Sequence, residues 1–224
     1  MENSTLMRKP IQFGEDVPGY DIRVLNEREI RAAAGILFLG TFISLMLILF
    51  EGNFRPIKYT VTLFLADFII RVFVSPRFAP TLVLGRWIVS RQVPEYVGAR
   101  QKRFAWAVGL GLSALIFVFL VVVNAYSPIT GLACLACLVF LFFETAFGIC
   151  IACKLYALFY RRKVRYCPGE VCDVRTRAPI QKTTGSQWLV VVAFVLAVVA
   201  LGIFFNGFYS RQPYDLFGVT TPAR

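Results

Sequence analysis

Five apolar runs divide this chain, at residues 32–50, 59–74, 104–125, 129–155 and 188–206. At a rise of about 1.5 Å per residue, each run approaches or exceeds the roughly 30 Å of a bilayer's hydrocarbon core. The pattern predicts an all-α, polytopic transmembrane helix bundle of about five spans. A polar arm over residues 1–31 precedes it, and a short outer tail follows over 207–224. Asn26 with Glu29 three residues later predicts a capped helix start just before the first run. Tyr126-Ser127-Pro128 is a tight link that makes the third and fourth spans an antiparallel hairpin. Two segments between spans are basic and mixed, 76–103 and 161–182. Within the first, Pro80 to Arg91 reads as a short amphipathic helix on the membrane surface with its arginines towards headgroups, or as a solvated loop.

Composition supports this division. The chain is 58% apolar and 15% aromatic, with 17% charge and a mean hydropathy of +0.66, outside the range of soluble domains. The first apolar run begins near Ala32, after a leader of mixed charge, which predicts an uncleaved N-terminus on the side of synthesis. The net charge of +11 suggests nucleic acid at first sight. However, the basic residues fall between the apolar runs, as the positive-inside rule produces, and that reading excludes nucleic acid as a partner in favour of the lipid bilayer. Eighteen Lys and Arg lie in the leader and the two basic segments, against four in the opposite links and tail. The N-terminus is therefore expected inside and the C-terminus outside. The chain has no histidine. That removes Ser/His/Asp triads, Cys/His pairs, histidine-ligated haem and His metal sites.

Three charged residues lie inside the spans away from their ends. Asp67 and Arg71 are four apart, hence on one helical face, and are expected to form an ion pair facing the bundle. Glu144 sits in the fourth run. The alternative is that Asp67, Arg71 and Glu144 line a polar path.

The six cysteines form three pairs, Cys134-x-x-Cys137, Cys150-x-x-Cys153 and Cys167-Pro-Gly-Glu-Val-Cys172. In one continuous fourth helix the first pair lies in the outer half and the second towards the inner, dipole-negative end, which disfavours thiolate. Two cysteines at i and i+3 of a regular helix hold their Cβ atoms about 5–6 Å apart, too far for a disulfide without distortion, which Gly148 would permit. Cys134 and Cys137 read as small apolar packing residues beside Ala133 and Ala136. Cys150 and Cys153 are followed by Lys154, Arg161 and Arg162, cations that favour thiolate. Pro168-Gly169 is a turn dipeptide that would bring Cys167 and Cys172 together, near Lys163 and Arg165. Thirteen residues separate Cys137 from Cys150, about 20 Å of helix, so electron passage along that helix is excluded and redox chemistry is expected only at the inner face. No cofactor is expected. The spacing of Cys150, Cys153, Cys167 and Cys172 also approaches that of thiolate sites for zinc or iron, at the cost of folding the loop back.

The stretches VLNEREIRAAAGILF, PEYVGARQKRFAWAVG, FFETAFGICIACKLY and YCPGEVC resemble a widespread bacterial membrane family known only as a domain of unknown function. The likeness covers about Val24 to Cys172 and includes a Gly-x-Cys-x-x-Cys-x-x-Tyr signature at Gly148, Cys150, Cys153 and Tyr156. It implies a multi-pass protein of the bacterial cytoplasmic membrane, associated with thioredoxin-like and sulfurtransferase proteins. The leading expectation is a thiol-redox or sulfur-handling protein. Cys167 or Cys172 would exchange disulfide or persulfide with a soluble thioredoxin-like or sulfurtransferase partner, and Cys150 with Cys153 would be the second pair. The alternatives are a transporter for a small sulfur anion using Asp67, Arg71 and Glu144, and a structural subunit of a membrane complex.

Overall fold

A computed structural model describes residues 12–152, 180 and 182–216. The architecture is all-α. The helices are α1 (Glu27–Glu51), α2 (Arg55–Ile69), α3 (Pro80–Ile88), α4 (Ala99–Phe117), α5 (Pro128–Phe147), α6 (Gly185–Phe204) and the single turn α7 (Asn206–Tyr209). A π-helical turn extends α2 over Ile70–Val74, and another extends α4 over Val118–Val122. Among the described residues, four helices are long and apolar enough to cross a membrane: α1, α4 with its π turn, α5 and α6. Their outward faces are apolar: Phe50 and Phe204 are 83% and 82% exposed, amid Leu49, Val192, Leu196 and Ile203. Such a surface belongs in lipid rather than water, and this is a membrane protein.

The helix boundaries follow from local chemistry. Asn26 caps α1 by accepting from the Arg28 amide at 3.2 Å and donates to Glu29 at 3.1 Å, so the Asn-to-Glu spacing acts as expected. Pro128 occupies the first turn of α5 behind a reciprocal cap, in which Thr130 Oγ1 accepts from the Ser127 amide at 2.8 Å and Ser127 Oγ accepts from the Thr130 amide at 3.3 Å.

Two miniature sheets tie the ends of the bundle. At one end β1 (Val24–Asn26) pairs antiparallel with β2 (Tyr96–Gly98), Val24 opposite Gly98. The same end holds Ser75 against the Gln12 carbonyl at 3.2 Å and Gln187 against the Arg77 carbonyl at 3.0 Å. At the other end β3 (Ala125–Tyr126) pairs parallel with β4 (Tyr214–Asp215). There Lys58 Nζ donates to Asn124 at 2.6 Å and to the Arg211 carbonyl at 2.5 Å. Arg23, Arg28, Arg31, Arg77, Arg86 and Lys102 thus gather at the first end, called the basic end below.

Two expectations need correction. The segment beginning at Pro80 is a helix, but not one lying on headgroups: α3 ends at Ile88 and packs into α1. A Cβ on Gly85 would stand 2.6 Å from the Glu29 carbonyl oxygen, so the two backbones meet where only glycine fits. Arg86 turns inward to Glu29 at 3.0 Å, both nearly buried, and Trp87 and Ile88 face out instead. The second correction concerns the fourth run. Its helix does not continue to residue 155 but stops at Phe147, where Gly148 adopts φ +65°. The Gly148 amide donates to Glu144 O at 3.1 Å and the Ile149 amide to Phe143 O at 3.0 Å, a left-handed C-cap that closes the helix.

Candidate functional site

Beyond the cap, Arg31 of α1 reaches α5 and donates to the Thr145 carbonyl at 3.4 Å. Its guanidinium carbon lies 3.3 Å from the position a Gly148 Cβ would take. A cation is thus set among the last carbonyls of α5, where the helix dipole favours positive charge. The chain turns through 148–150 in non-helical backbone, and helical backbone resumes at 151–152. Cys150 therefore sits between two helical stretches rather than within one. The objections drawn from a continuous helix, its i, i+3 sulfur geometry and its dipole-negative end, do not apply to Cys150 in this form.

The break borders a cleft of about 60 Å³. Its walls come from α1, α2, α4, α5 and residues 150–152. Phe64, Phe68, Trp106 and Phe140 supply aromatic surface, and Arg71, Glu144, Cys137 and Cys150 supply the polar and sulfur atoms. The cleft thus carries one thiol from each CxxC motif. The helical path of about 20 Å between them does not describe their relation, because the chain turns before Cys150.

Asp67 and Arg71 form the expected ion pair, Arg71 Nε to Asp67 Oδ2 at 2.7 Å, with Asp67 wholly buried and Arg71 2% exposed. The pair is completed by Thr81, a residue that no pattern in the sequence singled out. Its amide donates to Asp67 Oδ1 at 2.9 Å, its hydroxyl to Asp67 Oδ2 at 2.7 Å, and it accepts from Arg71 Nη2 at 2.5 Å. The guanidinium also faces the Phe68 and Trp106 rings, 4.7 Å and 5.2 Å from their centroids. Of the three residues expected on a polar path, Arg71 and Glu144 border the cleft and Asp67 stands behind Arg71.

Glu144 has a partner that the pattern of runs assigned to a loop. Lys102, 3% exposed in the first turn of α4, lies 2.5 Å from Glu144 Oε1 and 2.8 Å from Glu27 Oε2, bridging α5 to α1. With Glu29–Arg86 and Arg28–Glu95, the latter at 2.6 Å, these pairs form a charged floor beneath the apolar bundle. The available signal was Glu144 itself, since an intramembrane carboxylate requires a cation and the α4–α5 hairpin brings the start of one helix to the end of the other.

Cys134 and Cys137 are buried, unbridged thiols packed with Ile57, Val61 and Ile116, in keeping with a packing role. Cys153, Lys154, Cys167 and Cys172 lie outside the described residues. Among the described residues no group of three or more His, Cys, Asp and Glu side chains is disposed to hold a metal ion; three of the four cysteines considered for zinc or iron fall outside that set.

No curated protein and no solved structure matches the chain. Residues 25–161, well over half of the sequence and including every residue that borders the cleft, match the family described as "Domain of unknown function (DUF4395)", and the chain belongs to that family.

Proposed function

We propose that this protein exchanges dithiols and disulfides at the basic end of its bundle, with Cys150 and Cys153 as the membrane-side pair. Cys167 and Cys172 form the pair that meets a soluble thioredoxin-like or sulfurtransferase partner at the inner face of a bacterial cytoplasmic membrane. One observation carries the reading. The Gly148 break takes Cys150 out of regular helix and sets it, half-buried, on a cleft that also holds the Arg71 guanidinium. A cysteine outside helical backbone is free of the spacing that keeps an i, i+3 pair unbridged. Lys154 beside Cys153 and the arginines that follow are cations of the kind that raise thiolate content.

Exchange proceeds by attack of a thiolate in one protein on a disulfide in the other. A mixed disulfide forms with release of one thiolate, and the neighbouring thiol then displaces the second. One disulfide is lost and one gained, so two electrons move and no other oxidant is consumed.

The test is thiol titration in native membranes. Membranes are equilibrated in glutathione buffers graded from reducing to oxidising, quenched in acid and labelled with a mass-tagged maleimide. The four inner cysteines should lose label in pairs, reversibly, and Cys150→Ser should abolish the transition of one pair only. If all four stay reduced and unreactive through the most oxidising buffer, the reading fails.

A further inference from the structure

We propose that the cleft beside Cys150 is a binding site for the ring of a quinone, a lipid-soluble two-electron carrier. The occupancy rests on the cleft alone; its redox consequence rests on the thiol exchange proposed above.

Size comes first. At about 10–15 Å³ per water, a cleft of about 60 Å³ holds about four to six waters, whose liquid volume of about 120–180 Å³ is that of one substituted six-membered ring. Water is a poor occupant here, because most of the wall is hydrocarbon and a buried water needs two to four polar partners. Wall chemistry comes second. Phe64, Phe68, Trp106 and Phe140 offer π faces and edges to a flat ring from three different helices. Phe68 packs closely on α4: a Cβ on Gly109 would stand 2.5 Å from its ring, so that glycine leaves room for the aromatic side chain.

The polar groups are few and placed for a carbonyl. Arg71 commits Nε to Asp67 and Nη2 to Thr81, which leaves Nη1 uncommitted among the described residues on a side chain that borders the cleft. A guanidinium N–H of this kind suits a quinone oxygen and gains strength as negative charge develops there on reduction. Because Asp67 and Thr81 fix the guanidinium, little rotamer entropy is lost when it binds. Glu144, tethered by Lys102, closes the polar side, and Cys150 stands on the same cleft. A pocket that is largely apolar, with a few convergent polar groups and a cysteine sulfur, has the composition expected of a small-molecule site.

The step balances. Two thiols, Cys150 and Cys153, lose two electrons and two protons and become one disulfide, and the quinone takes both and becomes a quinol. Electrons then run from a soluble dithiol, through the Cys167–Cys172 and Cys150–Cys153 pairs, to a carrier that diffuses in the bilayer.

The test uses the full chain in detergent, with Trp87 and Trp188 replaced by phenylalanine so that emission reports Trp106 in the cleft wall. Titrated with decylubiquinone, that emission should quench saturably. Ala105→Phe, which adds a ring to the cleft wall, should weaken the apparent affinity about tenfold or more. A ring-matched alkylphenol should compete and decanol, which partitions alike, should not; this comparison needs no variant. Quenching that rises linearly, or that decanol relieves as well as the phenol does, overturns the site. Thiol loss, followed in the same samples by maleimide labelling, should match quinol formed and vanish in Cys150→Ser. Saturable quenching without thiol loss would keep the ring site and overturn electron transfer from Cys150 and Cys153 to it, whereas failure of the thiol exchange itself is read separately by the glutathione titration.

Discussion

Asp67→Asn isolates the energetics of the buried pair. In the native protein the Asp67 carboxylate accepts three hydrogen bonds within 2.9 Å, from Arg71 Nε and from the amide and hydroxyl of Thr81, and both charges are out of solvent. The substitution is nearly isosteric. It preserves an acceptor for the Thr81 amide and removes the negative charge, leaving the Arg71 guanidinium buried and uncompensated. Breaking a buried pair by removing one partner costs about 3–5 kcal/mol. The Phe68 and Trp106 rings over the guanidinium offset part of this, at about 0.5–2 kcal/mol, so the expected loss lies near 3 kcal/mol. The assay is reversible unfolding in mixed micelles of rising dodecyl sulfate fraction, read by tryptophan emission. Asp67→Asn and Arg71→Met should each destabilise by about 3 kcal/mol, and the double variant, which buries no charge, by no more than about 2 kcal/mol. A single-variant loss below about 1 kcal/mol, or strict additivity of the two, would refute the claim that the pair is a closed, desolvated unit.

Three further outcomes follow from the same structure and the same unfolding assay. Gly148→Ala should lose about 1 kcal/mol or more, because alanine is strained at φ +65° and its methyl would press on Arg31 at 3.3 Å; equal stability would mean that the break survives without glycine. Lys102→Met leaves the buried Glu27 and the partly buried Glu144 without their shared cation and should cost about 3 kcal/mol, with much of the loss recovered by adding Glu144→Gln. Ser127→Ala removes one side of the reciprocal cap on α5 and should cost about 1 kcal/mol, with no change in cysteine labelling.

Four of the five apolar runs were legible as membrane-length helices, the run over 59–74 not being among them, because transfer of apolar side chains into lipid is a sum over residues, and a sum survives ignorance of the fold. The Asn26 cap and the Asp67–Arg71 pair were legible for a related reason: each is local, closed within four residues of one helix. The charged floor was not. Lys102 meets Glu144 across 42 positions and Arg86 meets Glu29 across 57, and nothing in a hydropathy profile distinguishes an arginine that points to headgroups from one that points into a helix–helix contact. What decided the orientation of α3 was Gly85, whose missing side chain leaves room for α1, the Glu29 carbonyl oxygen lying 2.6 Å from where a Cβ would stand, and so lets Arg86 turn in towards Glu29.

The end of α5 shows the same limit at the candidate site. Hydropathy continues past Phe147 without a dip, and composition measures the cost of leaving water, not the sign of a backbone dihedral. Glycine alone does not mark the place either, since Gly109 and Gly131 sit inside helices that run on through them. The difference at Gly148 is a neighbour from elsewhere in the chain. Arg31 arrives from α1 with a guanidinium at the last carbonyls of α5, stabilising an open helix end that a further turn would otherwise have satisfied. The position of Cys150 on the cleft is therefore set by a contact 114 residues distant in sequence, between Arg31 and Thr145. For that reason the i, i+3 spacing of Cys150 and Cys153, read on its own, pointed to a helical pair at the dipole-negative end of the fourth span, whereas the folded chain carries its first thiol to the wall of a cavity beside a fixed cation.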